Sequence, residues 1–182
     1  MPSRTCSTPG GSPPRGRGFL DARPPAGHIA QVRTILADTP EHTFAVGVAL
    51  GRAAFPGAAL ALVGDLGAGK TVLARGVGAG LQVTTRVQSP SFILVQTHHG
   101  GRLPLWHADL YRLGDASELD QLGLDELLDA DGVVMVEWAD RFPELLPEDH
   151  LLVRLVDLGQ ARRLELGATG PRHRPLEGID VP

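Results

Sequence analysis

An unbroken apolar run, Ala58–Val63, leads directly into Gly64-Asp65-Leu66-Gly67-Ala68-Gly69-Lys70-Thr71. A run with no polar alternation is the pattern of a strand buried on both faces. The eight residues after it match G-x-x-x-x-G-K-[ST] at every fixed position. A helix is predicted from Lys70 to about Val77, closed by Gly78 and Gly80. Strand, glycine loop and helix in this order are the context that gives the pattern meaning. Glycines let successive backbone N–H groups curl into an anion-binding nest, and the helix turns its positive end to the same place. The chain has 17 lysines and arginines, and Lys70 is the single lysine among them. A compact ammonium on a thin stem can reach between phosphate oxygens, where a planar guanidinium is too wide.

Composition narrows the rest. At 182 residues, 42% of them hydrophobic, the chain fits one domain with a core plus tails. Aromatic content is 4%, so Leu, Val and Ala must fill that core. The single cysteine, Cys6, permits no intrachain disulfide and no cysteine metal cluster, which suits a reducing, cytoplasmic setting. No apolar run has the length of a membrane span, and no apolar segment of a secretory signal follows the first arginines. The formal charge of -4 is uneven. Residues 1–36 carry five arginines against Asp21, or +4, which leaves the remainder at -8. An acidic body argues against broad, nonspecific nucleic-acid binding by the folded part.

Residues 1–28 are rich in Pro, Gly, Ser and Arg and are expected to form a disordered basic extension. Residues 29–169 are expected to form the domain, and 170–182 a disordered tail. Gln31 to Leu36 alternates as a half-buried strand does. Asp38 or Thr39 caps a helix with Pro40 at its first position, and Phe44, Val48 and Phe55 lie on or near one of its faces. Phe92 to His98 and Leu103 to Ala108 read as a hairpin around Gly100-Gly101. Ser117 to Gln121 and Asp125 to Leu128 read as short helical turns. Val133 to Val136 is a second fully apolar strand ending in Glu137, followed by a helical or turn-like stretch from Asp140 to Leu145. Leu151 to Val156 and Arg163 to Leu166 form a last strand pair.

These residues support phosphate chemistry. Lys70 neutralises phosphate oxygens, and Thr71 offers a hydroxyl to Mg²⁺. Glu137 ends an apolar strand, where a metal-holding acid sits in phosphate-loop proteins. In His107-Ala108-Asp109-Leu110-Tyr111-Arg112, positions 107, 109 and 111 share a face if the strand continues. Asp109 could orient an attacking water or hold a metal-bound one. His107 and Asp109 also suit a zinc pair, although no third ligand is evident. Ser89-Pro90-Ser91-Phe92 occupies the region that senses the terminal phosphate in switch-type NTPases. Arg75, Arg86 and Arg112 are candidate phosphate or partner contacts. A GTP-reading Asn-Lys-x-Asp motif is impossible with Lys70 as the sole lysine. The residues alone therefore point to a nucleotide, with Mg²⁺, and to hydrolysis.

The order Thr43…Gly47, Gly64 to Thr71, Ser89 to Phe92, His107 to Arg112, Gly123-Leu124-Asp125-Glu126 and Val136-Glu137-Trp138 resembles the TsaE (YjeE) family over about residues 39–140. These are small bacterial ATPases needed to make threonylcarbamoyladenosine in tRNA. The resemblance implies an α/β, P-loop NTPase-like three-layer domain with a mainly parallel central sheet. It implies that Thr43 lies near the base or ribose of ATP, that Gly67, Ala68, Gly69, Lys70, Thr71 and Val72 wrap the phosphates, and that Thr71 and Glu137 hold Mg²⁺. Asp109 would support hydrolysis, with Trp138 beside the site. The implied partner is the TsaB–TsaD pair, which ATP hydrolysis would reset between turnovers. Contact with tRNA would be indirect, through that complex. Two positions depart from the family's habit: Val72 stands where threonine is common, and Ser91 replaces threonine in Ser-Pro-Thr-Phe.

Two other readings use the same loop. A small-molecule kinase would need an acceptor pocket and usually an arginine-rich lid, whereas Gly114 to Asp131 is acidic. A nucleotide-dependent docking module would hydrolyse only incidentally.

Overall fold

The strand Ala58–Val63 (β2) is buried along its whole length. Leu60 and Leu62 enter one core, and Ala61 and Val63 enter another on the opposite face. That two-sided burial is why the run carries no polar alternation. The computed structural model describes residues 31–90, 94–114 and 131–181. The expected basic extension, the start of the hairpin at Phe92, Ser91 and the turns between Ser117 and Leu128 lie outside the described residues.

Among the described residues seven strands form one sheet: β1 (Arg33–Ala37), β2, β3 (Val95–His98), β4 (Leu105–Asp109), β5 (Val133–Glu137), β6 (Leu151–Asp157) and β7 (Arg162–Ala168), in the spatial order β1-β7-β6-β2-β5-β4-β3. The central four, β6-β2-β5-β4, are parallel, and the outer pairings are antiparallel. Helices α1 (Pro40–Ala53) and α2 (Lys70–Leu81) cover one face. The other face is covered by Leu110, Leu113, Ala139 and the partly buried Trp138, Phe142 and Leu145. The result is a three-layer α/β domain with a mainly parallel centre, as the resemblance implies.

Thr39 caps α1, its side chain accepting from the His42 N–H at 3.1 Å. The buried face of α1 is not the aromatic one. Phe44 is 37% exposed, while Thr43, Val46, Gly47, Leu50 and Gly51 are buried. The reason lies in α2, which runs to Leu81 rather than stopping near Val77. Gly78 and Gly80 do not close it. Instead α1 and α2 approach backbone to backbone: a Cβ on Gly47 would stand 2.2 Å from the Leu73 carbonyl oxygen, and one on Gly76 2.2 Å from that of Phe44. Gly51 and Gly80 repeat the arrangement one turn on, at 2.2 Å from the Val77 oxygen and 2.3 Å from the Val48 oxygen. Helical glycine costs about 1 kcal/mol relative to alanine, and this contact requires it.

The segment from Gly170, expected as a disordered tail, is packed. A short helix, α3 (Arg174–Glu177), brings His173, Leu176 and Ile179 inward at intervals of three residues. Arg33 donates to the carbonyls of Glu177, at 3.0 Å, and Ile179. The His173 imidazole accepts from the Ala59 N–H at 3.0 Å through Nε2 and donates through Nδ1 to Asp149 at 2.7 Å. Pairing of β2 with β6 begins only at Leu60, so the buried Ala59 N–H takes its partner from the tail.

Burial holds His173 below the ordinary histidine pKa, although Asp149 pulls it upward. Burial lowers His150 too, against the Pro147 carbonyl and Asp149. The unfolded chain therefore takes up protons near pH ~6.5 that the folded chain refuses, and stability falls as pH drops below that value. Urea midpoints are expected to decline from pH 7.5 to 5.5. His173→Gln, whose amide oxygen accepts at any pH, should decline less steeply, and equal slopes would refute the contribution of His173 to this pH dependence. Separately, Gly76→Ala should lose about 1–3 kcal/mol or more by overpacking. Gly178→Ala, whose nearest contact is 3.7 Å, should remain near wild type in the same urea titration.

Candidate functional site

The parallel strands β2, β5 and β4 end on one edge of the sheet. In their register Leu62 pairs with Glu137, and Glu137 with Asp109. The loop from Gly64 leaves the same edge. Gly67 and Gly69 adopt φ of +83° and +105°, which side-chain-bearing residues rarely take. Gly69 is the residue before α2, so the loop hands its N–H groups to the helix's positive end.

Lys70 is 5% exposed. Its ammonium donates to the carbonyls of Gly64 at 2.6 Å and Asp65 at 3.0 Å. It also lies 3.7 Å from the centre of the Trp138 ring. Burial lowers the Lys70 pKa, while Glu137, Asp140, Asp109 and Asp65 draw it back up. Trp138 has φ of +60°, a conformation costing a non-glycine residue about 1–3 kcal/mol. Its ring packs on Tyr111, centroids 4.8 Å apart.

Thr71 and Glu137 meet across the cleft, the hydroxyl 3.4 Å from each carboxylate oxygen. Both are hard oxygen donors. Magnesium binds oxygens at about 2.0–2.1 Å, so oxygens at this separation fit within one shell, and the residues suit the ion. Glu137 is buried, and its Oε1 accepts from His107 Nε2 at 2.9 Å. Asp109 is buried too, its two oxygens accepting from the Ser89 hydroxyl at 2.7 Å and the Tyr111 N–H at 3.0 Å. Strand β4 ends at Asp109, so Tyr111 does not continue the face of His107 and Asp109, and it is 46% exposed. Arg141 donates to the carbonyls of Leu110 at 2.9 Å, Leu113 at 2.9 Å and Tyr111, fixing the turn that follows Asp109.

A cavity of about 410 Å³ collects Lys70, Thr71, Glu137, Asp109, Ser89, Arg112 and Trp138 around the mouth of the loop. A second, of about 310 Å³, lies between the start of α1 and the β6–β7 turn, lined by Thr39, Thr43, Gln160 and Arg162 among others. The two share Gly67, Gly69 and Val72 as a common wall. Ala68 is buried behind it, and Thr43 is 1% exposed. Arg75 and Arg86 line a separate depression with Val83 and Thr85, away from the loop. Among the described residues no group of three or more His, Cys, Asp or Glu is placed to hold a metal ion, so the zinc pairing of His107 and Asp109 gains no third ligand. Sequence reasoning missed the His107–Glu137 and Ser89–Asp109 bonds. Alternation of His107 and Asp109 in a strand beside Glu137 carried the first, and no local signal carried the second.

A family model for the threonylcarbamoyl adenosine biosynthesis protein TsaE matches residues 37–164. The tRNA threonylcarbamoyladenosine biosynthesis protein TsaE of Bacillus subtilis is 41% identical over 138 residues, covering 75% of this chain and 86% of that protein. Its counterpart from a Nostoc species is 40% identical over 119 residues, covering 63% and 73%. The crystal structure of Bacillus subtilis YdiB superposes with a TM-score of 0.71 at 35% identity, covering 80% of this chain and 91% of that one. The match runs from the end of β1 into β7 and takes in the loop, both cavities and the strand ends described above, and the chain belongs to the TsaE family of tRNA threonylcarbamoyladenosine biosynthesis proteins.

Proposed function

We propose that this protein is a Mg²⁺-dependent ATPase that serves tRNA threonylcarbamoyladenosine formation in the cytoplasm by acting on the TsaB–TsaD pair. The observation that carries the reading is the convergence of Lys70, Thr71, Glu137 and Asp109 on one cleft at the mouth of the glycine loop. Among the described residues no helix is long and apolar enough to cross a membrane.

The phosphates lie along Gly67, Ala68, Gly69, Lys70, Thr71 and Val72, where backbone N–H groups and the helix end favour negative charge. The nucleoside end extends toward Thr43 in the adjoining cavity. Val72 offers methyl groups there and no hydroxyl. The Lys70 ammonium exchanges its carbonyl partners for phosphate oxygens and stays beside the Trp138 ring. Thr71 and Glu137 hold Mg²⁺, which when bound neutralises charge on the phosphates. Asp109 has an oxygen fixed by Ser89 and another by the Tyr111 N–H, so its orientation is set before a water arrives. It receives that water's hydrogen bond and aims it along the line of attack. Catalysis of this kind is mostly positioning and charge stabilisation, and turnover stays slow until a partner completes the site.

Lys70→Ala is expected to abolish ATP binding in calorimetry. Glu137→Ala should keep ATP binding but lose Mg²⁺-dependent phosphate release by at least tenfold, with Asp109→Asn showing a similar loss of turnover and little change in affinity. Wild-type ATP affinity in the Lys70 variant would contradict the site. A phosphorylated small molecule in place of free phosphate would favour the kinase reading. For the pathway role, TsaB, TsaD and a threonylcarbamoyl-adenylate source are combined with tRNA. Modification should continue over several turnovers with the wild-type protein and stall after about one with Glu137→Ala. Equal yields without the protein would remove the assignment.

A further inference from the structure

The side chain at position 107 is completely buried, among Leu105, Met135 and Val133 on the helix-covered face of the sheet. An apolar residue would pack there at no electrostatic cost, whereas an imidazole must be desolvated and needs partners. His107 has one. Its Nε2 lies 2.9 Å from Glu137 Oε1, and because a carboxylate only accepts, the hydrogen sits on Nε2. Nδ1 then keeps a lone pair, and among the described residues nothing donates to it. Gln96, directly opposite on β3, and His98, whose ring centre is 6.4 Å away, also hold buried atoms without partners on this face. The polar function of His107 is spent on one carboxylate oxygen.

Glu137 has few other restraints. Thr71 contacts both of its oxygens, but at 3.4 Å, the outer limit of a hydrogen bond. The short contact is the one from His107. We propose that His107 is a positioning residue: its Nε2–H pins Oε1 and so turns the remaining lone pairs of Glu137 toward Thr71, where the divalent cation of the nucleotide complex is held. Hydrogen-bonded carboxylate ligands follow this logic generally, and loss of such an outer partner costs about 10–100-fold in metal affinity or activity. The inference rests on the Mg²⁺–ATP reading of the site.

The test compares His107→Gln with His107→Asn in the full chain. A glutamine amide nitrogen reaches the position of Nε2, and an asparagine amide falls short of it. ATP binding is titrated by calorimetry at a series of Mg²⁺ concentrations and again in EDTA. The half-saturating Mg²⁺ concentration is expected to rise about tenfold or more for Asn and to stay within about threefold of wild type for Gln. Metal-free ATP binding should be unchanged in both. Equal Mg²⁺ requirements for the two variants, or a greater defect for Gln, would overturn the role of His107 while leaving the ATPase reading intact. No effect of Mg²⁺ on the wild type would overturn both.

Discussion

Helices α1 and α2 touch through their backbones, and the position of the glycine loop follows from that contact. With Gly47 and Gly51 set against Gly76 and Gly80, the two axes come closer than any pair of side-chain-bearing stripes permits. Helix α2 cannot rotate or slide without a glycine Cα meeting a Cβ, so its first turn is fixed relative to Thr39 and Thr43 on α1. The methyl of Thr43 would lie 3.7 Å from a Cβ on Gly69. One loop can therefore form the shared wall of two cavities, one facing the carboxylates and the other facing α1.

The contrast between the lone lysine and the sixteen arginines has a structural meaning. Several arginines brace backbone carbonyls rather than serve as generic surface charge. Arg102 reaches the carbonyls at the end of α1, donating to Gly51 at 2.7 Å, Arg52 at 3.0 Å and Ala54. Arg33 does the same for the tail, and Arg141 for the turn behind Asp109. A guanidinium presents several donors in one plane and suits such clusters. The ammonium of Lys70 is also carried by carbonyls, those of Gly64 and Asp65, and by the face of the Trp138 ring.

The unbroken runs at β2 and β5, the glycine loop and the Thr39 cap were legible because each is local. Two-sided burial removes polar residues from a strand, and cap chemistry lies within four residues. The end of α2 was not legible. Gly78 and Gly80 look like terminators in sequence, and only tertiary contacts show them as packing surfaces, Gly80 against α1 and Gly78 against Val83 and Val87. The buried face of α1 was hidden in the same way, because Gly47 and Gly51 belong to it and Phe44 does not. The tail failed for a related reason. Its Pro, Gly and Arg content hides His173, Leu176 and Ile179, whose partners, the Ala59 N–H for His173 and the core residues for Leu176 and Ile179, lie far away in sequence. At the site, Lys70, Thr71, Glu137 and Asp109 could be named from motifs, but the hydrogen bonds that aim them are contacts between elements.

Strand register explains why the two acids, Glu137 and Asp109, converge. Residues paired across parallel strands point to the same face, so Leu62, Glu137 and Asp109 form one row facing α2. His107 stands two residues back on that face and reaches the same carboxylate. A slip of one residue in β5 would send Glu137 to the opposite face, away from Thr71, and would bring Val134 and Val136 to the helix side. The hydrophobic pattern forbids it, because Met135 and Val133 fill the helix-facing core while Val134 and Val136 fill the other. The packing that selects the register thus also selects the aim of the acid. A carboxylate at the last position of a strand held on both sides inherits the precision of the whole sheet, which a loop-borne acid could not do.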